Sequence, residues 1–206
     1  MTNATLDTNC IIDLENNARA ARYIRALIRM HEDRRINLRV VAISASERKR
    51  DRTYAANFSE FKERIAAIGL GGVEILRPIL YWGMAYWDWC IWAGHENDPM
   101  MELERRVHEI LFPEIQFSYK EFCKKNSIDI NGALDPRWRN AKCDVLAMWS
   151  HIYYGGDVFV TRDSNFLEPT KKSLLVTLGA GEILEPNEAV TRLAEMTSEQ
   201  DFNCLQ

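Results

Sequence analysis

No CxxC pair, no histidine cluster and no apolar run of membrane-spanning length occurs in this 206-residue chain. Its five cysteines (Cys10, Cys90, Cys123, Cys143 and Cys204) are scattered and odd in number, so neither a disulfide framework nor a cysteine zinc site is written in them. His31, His95, His108 and His151 have no ligand-like spacing and read as ordinary helix or loop residues. The most apolar stretch, ILYWGMAYWDWCIWAG at 79–94, is shorter than the ~20 residues a membrane span needs and carries Asp88 inside it. MTNATLDTNC, at the start, lacks the basic and apolar regions of a secretory leader. A soluble, cytoplasmic protein with no membrane association is the expectation. Positive charge is not in excess either: 26 Lys and Arg against 30 Asp and Glu leave a net charge of −4. That excludes a protein coating nucleic acid through a global basic field, but not an enzyme with a local basic groove. Repeats, low-complexity tracts and linkers are also missing, which favours one domain, or one domain with a large insertion.

What is present alternates between strand and helix patterns. NATLD reads as a first strand, followed by a helix over about 17–31. NLRVVAIS (37–44) is apolar and β-branched enough for a strand buried on both faces. A helical stretch runs from Ser46 to Gly69, and GGVEILRPI offers a third strand between Gly72 and Pro78. Residues 78–136 differ in character. They begin rich in tryptophan and contain an amphipathic helix in PMMELERRVHEILF, with Met101, Leu103, Val107, Ile110 and Leu111 on one face. NSIDINGALDPRWRN reads as a loop, AKCDVLAMWSHIYYGG as a helix ended by Gly155 and Gly156, and DVFVTRDSNF as a strand. GEILEP (181–186) and a short helix from Asn187 close the chain, with a frayed tail after about Ser198. Such alternation predicts an α/β fold with a mainly parallel sheet and helices on both faces. Ligands of such sheets bind at the carboxyl ends of the strands.

Four acids gather there. Asp7 ends the first strand, Glu47 follows the second, and Asp163 follows the fourth in VFVTRD; Asp144 sits near the start of the helix before that strand. Two unit charges 4 Å apart repel by about 4 kcal/mol at an effective dielectric near 20, so an uncompensated cluster is costly. An all-oxygen set points to Mg²⁺ or Mn²⁺. The competing explanation is helix capping, which favours a carboxylate at a helix start without any metal.

The order LDTN (6–9), an acid after the second strand, then CDVLAMWSHIYYGGDVFVTRDSNF (143–166) resembles the PIN-domain family of metal-dependent ribonucleases, VapC-type toxins among them. The likeness is strongest over 4–16 and 140–167, moderate over 37–48 and absent over most of 78–136. It implies a three-layer α/β/α sandwich, one PIN-like domain over 1–206, with 78–136 a family-atypical, largely helical insertion. It also implies that Asp7, Glu47, Asp144 and Asp163 match the family's acidic metal site, with Asn9 and Thr161 as polar helpers. Many relatives carry a further aspartate two places after the last acid; Asn165 stands there, which favours a single resident ion. The implied function is Mg²⁺- or Mn²⁺-dependent hydrolysis of RNA, in a toxin–antitoxin pair or outside one. The alternative is a non-catalytic PIN-like module binding RNA or a protein. An aspartate-nucleophile phosphatase fits less well, because Thr8 and Asn9 follow Asp7 where that chemistry wants a second acid two residues on.

Substrate contacts are expected from Arg22 on the first helix and from Arg48, Lys49 and Arg50 beyond Glu47. On that first helix Arg19, Arg22, Arg25 and Arg29 share one arc, while Ile24, Leu27 and Ile28 face the sheet. Trp82, Trp87, Trp89 and Trp92 suit packing, a protein–protein surface included, better than base stacking. An exposed patch there would fit a homodimer or an antitoxin-like partner.

Overall fold

In the computed structural model, residues 1–46, 57–94 and 98–203 are described. Five strands, β1 (Thr2–Leu6), β2 (Ile36–Val41), β3 (Glu74–Leu76), β4 (Val158–Val160) and β5 (Glu182–Leu184), form an all-parallel sheet in the order β3-β2-β1-β4-β5. The expected α/β architecture is therefore present. Side-chain alternation separates two apolar layers. Val158 and Val160 turn toward one layer and Phe159 toward the other. The first layer holds α1 (Thr8–Glu15), α2 (Ala21–Glu32), α3 (Phe58–Ala67) and α9 (Pro186–Asn203). The second holds α4 (Pro99–Leu111), α5 (Tyr119–Asn126), α6 (Pro136–Tyr153), α7 (Ser164–Leu167) and α8 (Pro169–Leu175). Helices thus cover both faces, as a sheet buried on two sides requires. Among the described residues, no helix is long and apolar enough to cross a membrane.

Helix boundaries depart from the sequence expectation where capping chemistry decides them. The helix expected over about 17–31 begins later, as α2 at Ala21, and a separate short helix, α1, precedes it; Asn17, in a left-handed conformation (φ 49°), lies between the two. On α2 the expected inward face is correct: Ile24, Leu27 and Ile28 are buried, and Arg22, Arg25 and Arg29 are exposed. Four of the described helices open on an acid–proline pair, Asp98-Pro99, Asp135-Pro136, Glu168-Pro169 and Glu185-Pro186, and in the first three the acid side chain accepts backbone N–H bonds while proline occupies the first turn. Asp135-Pro136 lies inside the stretch expected to be a loop, so α6 starts earlier and Asp144 lies about two turns into it rather than near its start. The final helix is longer than expected and continues past Ser198 to Asn203.

Most of the described residues of 78–136 pack in the second layer, while Tyr86 and Trp89 pack against Phe58 of α3 in the first. The buried face of α4 consists of Glu104, Val107, His108 and Leu111, while Met101, Leu103 and Ile110 are half-buried, a rotation from the expected stripe. The reason is a buried ion pair. Lys142 of α6 places its ammonium 2.7 Å from Glu104 Oε1, and neither side chain reaches solvent. Tyr81 donates its hydroxyl to both Glu104 oxygens at 2.8 and 3.0 Å, and the Phe117 ring centroid lies 4.1 Å from Lys142 Nζ. Trp149 Nε1 donates to the Met100 carbonyl and Trp138 Nε1 to the Gln116 carbonyl, fixing α6 to the same segment. The tryptophans expected to pack divide: Trp89 stacks on Phe58 at 4.3 Å, whereas Trp82, Trp87 and Trp92 are 76%, 66% and 66% exposed.

Candidate functional site

Strand order reverses direction between β1 and β4, since the chain lays β2 and β3 on one side of β1 and then returns to place β4 on the other. A crevice outside the carboxyl ends of the strands opens at such a point. Register puts its first two residues side by side: Leu6 pairs with Val160, so Asp7 and Thr161 leave the sheet together. The Asp7 N–H donates to the Val160 carbonyl at 3.0 Å, and the Thr161 N–H to the Leu184 carbonyl at 3.0 Å.

Asp7 is only 5% exposed and caps α1, with Oδ1 accepting the Thr8 N–H at 2.7 Å. Its Oδ2 accepts the Thr161 hydroxyl at 2.6 Å and the Asn9 side-chain amide. Thr161 Oγ1 in turn accepts the Asn9 amide at 2.9 Å and the Asp163 N–H at 3.0 Å. Asn9 spends its remaining oxygen on the Arg162 N–H at 3.1 Å. Two polar helpers thereby lock one carboxylate and orient the segment that carries the next. Burial pushes the Asp7 carboxyl up to about 6, and the charge of nearby Asp163 adds to that rise against the lowering effect of the Thr161, Thr8 and Asn9 hydrogen bonds. Asp163 is half-buried and caps α7 through the Asn165 N–H at 2.8 Å.

The remaining expected residues are distributed differently. Asp144 is half-buried on α6, which packs on the turn Ala42–Ser46 that follows β2 at the same sheet edge. Glu47 and the basic run Arg48, Lys49 and Arg50 lie outside the described residues. Among the described residues, no three acids, histidines or cysteines come together as a ligand set for a metal ion. Arg22 folds back on Tyr23, its guanidinium 4.5 Å from the ring centroid, rather than toward Asp7. Asn165 gives its side-chain oxygen to the Lys171 ammonium, which also donates to the Leu111 carbonyl at 2.8 Å. That position is therefore tied to the end of α4.

Several residues around the crevice were not singled out from sequence. Arg162, between Thr161 and Asp163, makes a two-pronged ion pair with the buried Asp13, its Nη2 2.6 Å from Oδ1. Its partner, 149 residues away in the chain, accounts for the burial of Asp13. The Thr8 and Ser44 hydroxyls meet at 2.7 Å and join α1 to the turn after β2. Arg139 reaches that turn too, donating Nη2 to the Ser46 carbonyl at 2.9 Å.

Known proteins offer no shortcut. Comparison with family models, with curated proteins and with solved structures finds no match to this chain. A functional reading therefore stands on the residues themselves.

The pair Asp7 and Asp163 suits a hard divalent cation. Mg²⁺ takes oxygen ligands, keeps several waters and is commonly held by one or two protein carboxylates. Asp7 meets only neutral donors in Thr8, Asn9 and Thr161, so its buried charge is not offset within this network. The donor chemistry fits Mg²⁺ or Mn²⁺ and not zinc, which prefers nitrogen and sulfur.

Proposed function

We propose that this chain is a PIN-like, Mg²⁺- or Mn²⁺-dependent endoribonuclease whose centre is the crevice at the carboxyl ends of β1 and β4. One observation carries the reading: a buried carboxylate, raised by desolvation, is held beside a second acid at the point where strand order reverses. Helix capping alone accounts for Asp7 Oδ1, but it leaves unexplained why Oδ2 is fixed by both Asn9 and Thr161.

In this reading Asp7 and Asp163 would hold the ion, with Asp144 joining from α6; the fourth expected acid, Glu47, lies outside the described residues. When bound, a divalent ion shields charge on a phosphodiester and acidifies water. The chain's own residues do the rest. Asn9 and Thr161 keep Asp7 in one rotamer, so that a phosphate meets a preorganised oxygen array rather than one that must rearrange. Asp163, anchored by the Asn165 N–H, leaves its other oxygen to accept a proton or hydrogen bond from an attacking water. Arg162 ties the segment that carries Thr161 and Asp163 to α1 through its ion pair with Asp13.

A second reading, a non-catalytic PIN-like module that binds RNA or a protein partner, draws on two observations. Among the described residues no three-ligand set forms, and Trp82, Trp87 and Trp92 face solvent, where a second copy of the chain or an antitoxin-like protein could seat. Cleavage of fluorescent single-stranded RNA with and without EDTA separates the two. The nuclease reading expects EDTA-sensitive cleavage by the wild type and none by Asp7→Asn or Asp144→Asn; undiminished cleavage by both variants overturns the assignment.

A further inference from the structure

A cleft of about 300 Å³ opens between the start of α2 and the start of α9, lined chiefly by Arg19, Tyr23, Arg162, Glu185 and Asn187. Glu185 directly follows β5, and Arg162 is two residues beyond β4, so the cleft opens at the same sheet edge as Asp7. It also shares a wall with the acid pair. The segment Thr161–Arg162–Asp163 gives its first residue to Asp7 and its second to the cleft, with the Arg162 N–H held by Asn9 Oδ1 at 3.1 Å.

We infer that this cleft is a subsite for the ribonucleotide adjoining the scissile phosphate, a proposal that rests on the endoribonuclease reading. Its size is at the lower end of small-ligand sites, which suits one nucleotide and not a folded RNA element. The charge arrangement suits a phosphate bounded by polar groups. Arg162 is a fixed wall because Asp13 anchors its guanidinium and offsets part of its charge. Arg19 is exposed and makes no ion pair among the described residues, so its five donors are available to a phosphate oxygen. Tyr23, half-buried and stabilised by the Arg22 guanidinium, offers a ring against which an unpaired base can stack. A carboxylate in a phosphate site is otherwise unfavourable. Glu185 has a role if it accepts a hydrogen bond from a ribose 2′-hydroxyl, the group that distinguishes RNA from DNA. Single-stranded RNA would then reach the acid pair from the β5 side.

The test uses the full chain carrying Asp163→Asn, labelled oligouridine RNA and its deoxy counterpart, and fluorescence anisotropy at several salt concentrations. Arg19→Ala and Glu185→Gln are compared with Arg25→Ala, an exposed arginine of α2 outside the cleft. Arg19→Ala is expected to weaken RNA binding and flatten the slope of log K against log salt by about 0.7, the value for one lost phosphate contact on a single strand. Arg25→Ala is expected to leave that slope unchanged, and Glu185→Gln to narrow the preference for RNA over DNA. Circular dichroism confirms that each variant is folded. If the wild type cleaves RNA in a metal-dependent way but Arg19→Ala and Arg25→Ala bind alike, the subsite is wrong and the nuclease reading stands. If the unsubstituted chain neither cleaves nor binds RNA, the nuclease reading fails and takes the subsite with it.

Discussion

Replacing Asp7 by Asn removes one buried charge while keeping shape, and its effect on stability follows from the geometry of the crevice. Burial raises the Asp7 carboxyl from its ordinary 3.8 to about 6. At 1.36 kcal/mol per tenfold in proton affinity, that gap is a penalty of about 3 kcal/mol whenever both folded and unfolded states are ionised. The sign is the reverse of the usual salt-bridged aspartate. The penalty is fully present above pH 6, is relieved as pH falls from 6 toward 3.8, and is gone below it. Asn removes the penalty but brings a cost. If its oxygen keeps the Thr8 N–H, its amide faces the Asn9 amide, and one of the two donors is left without a partner. An unsatisfied buried donor costs about 1–3 kcal/mol. Thr161 Oγ1 already accepts the Asn9 amide and the Asp163 N–H and offers the new amide no further acceptor, so one such loss sets the net change at pH 8 between about zero and 2 kcal/mol of stabilisation. The pH dependence is the cleaner observable, because the packing cost cancels in it. Urea denaturation in EDTA of wild type and Asp7→Asn at pH 8, 6 and 4 should show the variant's relative stability falling by up to about 3 kcal/mol from pH 8 to pH 4. A difference independent of pH would refute the claim that Asp7 is a desolvated, uncompensated carboxylate.

Three further outcomes are expected. Glu104→Gln should cost about 3–5 kcal/mol by stranding the Lys142 ammonium, and Glu104→Leu with Lys142→Met should cost much less; equal losses in denaturant melts would contradict a coupled pair. Gly156→Ala should destabilise by about 1–3 kcal/mol, since an added Cβ would lie 2.1 Å from His151 Nδ1, which is held 2.9 Å from the Thr5 hydroxyl; an unchanged melting temperature would contradict that packing. Asn165→Asp should form an ion pair with Lys171 and create no additional metal site; a rise in Mn²⁺ stoichiometry by calorimetry would show that the side chain turns toward Asp163 instead.

Much of the sheet was readable because its signals are local. The apolar, β-branched runs at 37–44 and 157–161 could be buried only on two faces, and each ends where a polar residue meets the sheet edge. Strand order was not readable, since pairing of β1 with β4 depends on contacts across more than 150 residues. The helix start at Asp135-Pro136 carries a local signal, an acid cap followed by proline, inside a stretch that reads as a loop by composition. Asn17 lies between α1 and α2 in a left-handed conformation, which composition does not announce. Around the site, Asp7 and Asp163 were legible because strand-end position is itself a sequence property, whereas Asn9 and Thr161 were indicated only by the resemblance. Asp13, Glu104 and Lys142 were not legible, because a buried charge reads as a surface charge until its distant partner is known.

The measurement closest to the central claim is Mn²⁺ binding to the metal-free chain, followed by electron paramagnetic resonance and repeated with Asp163→Asn. The account predicts that the wild type binds a single ion, that Asp163→Asn loses it, and that binding weakens as pH drops below about 6, where Asp7 takes up its proton. Equal binding by wild type and variant, or none by either at millimolar Mn²⁺, would contradict a metal centre at the ends of β1 and β4.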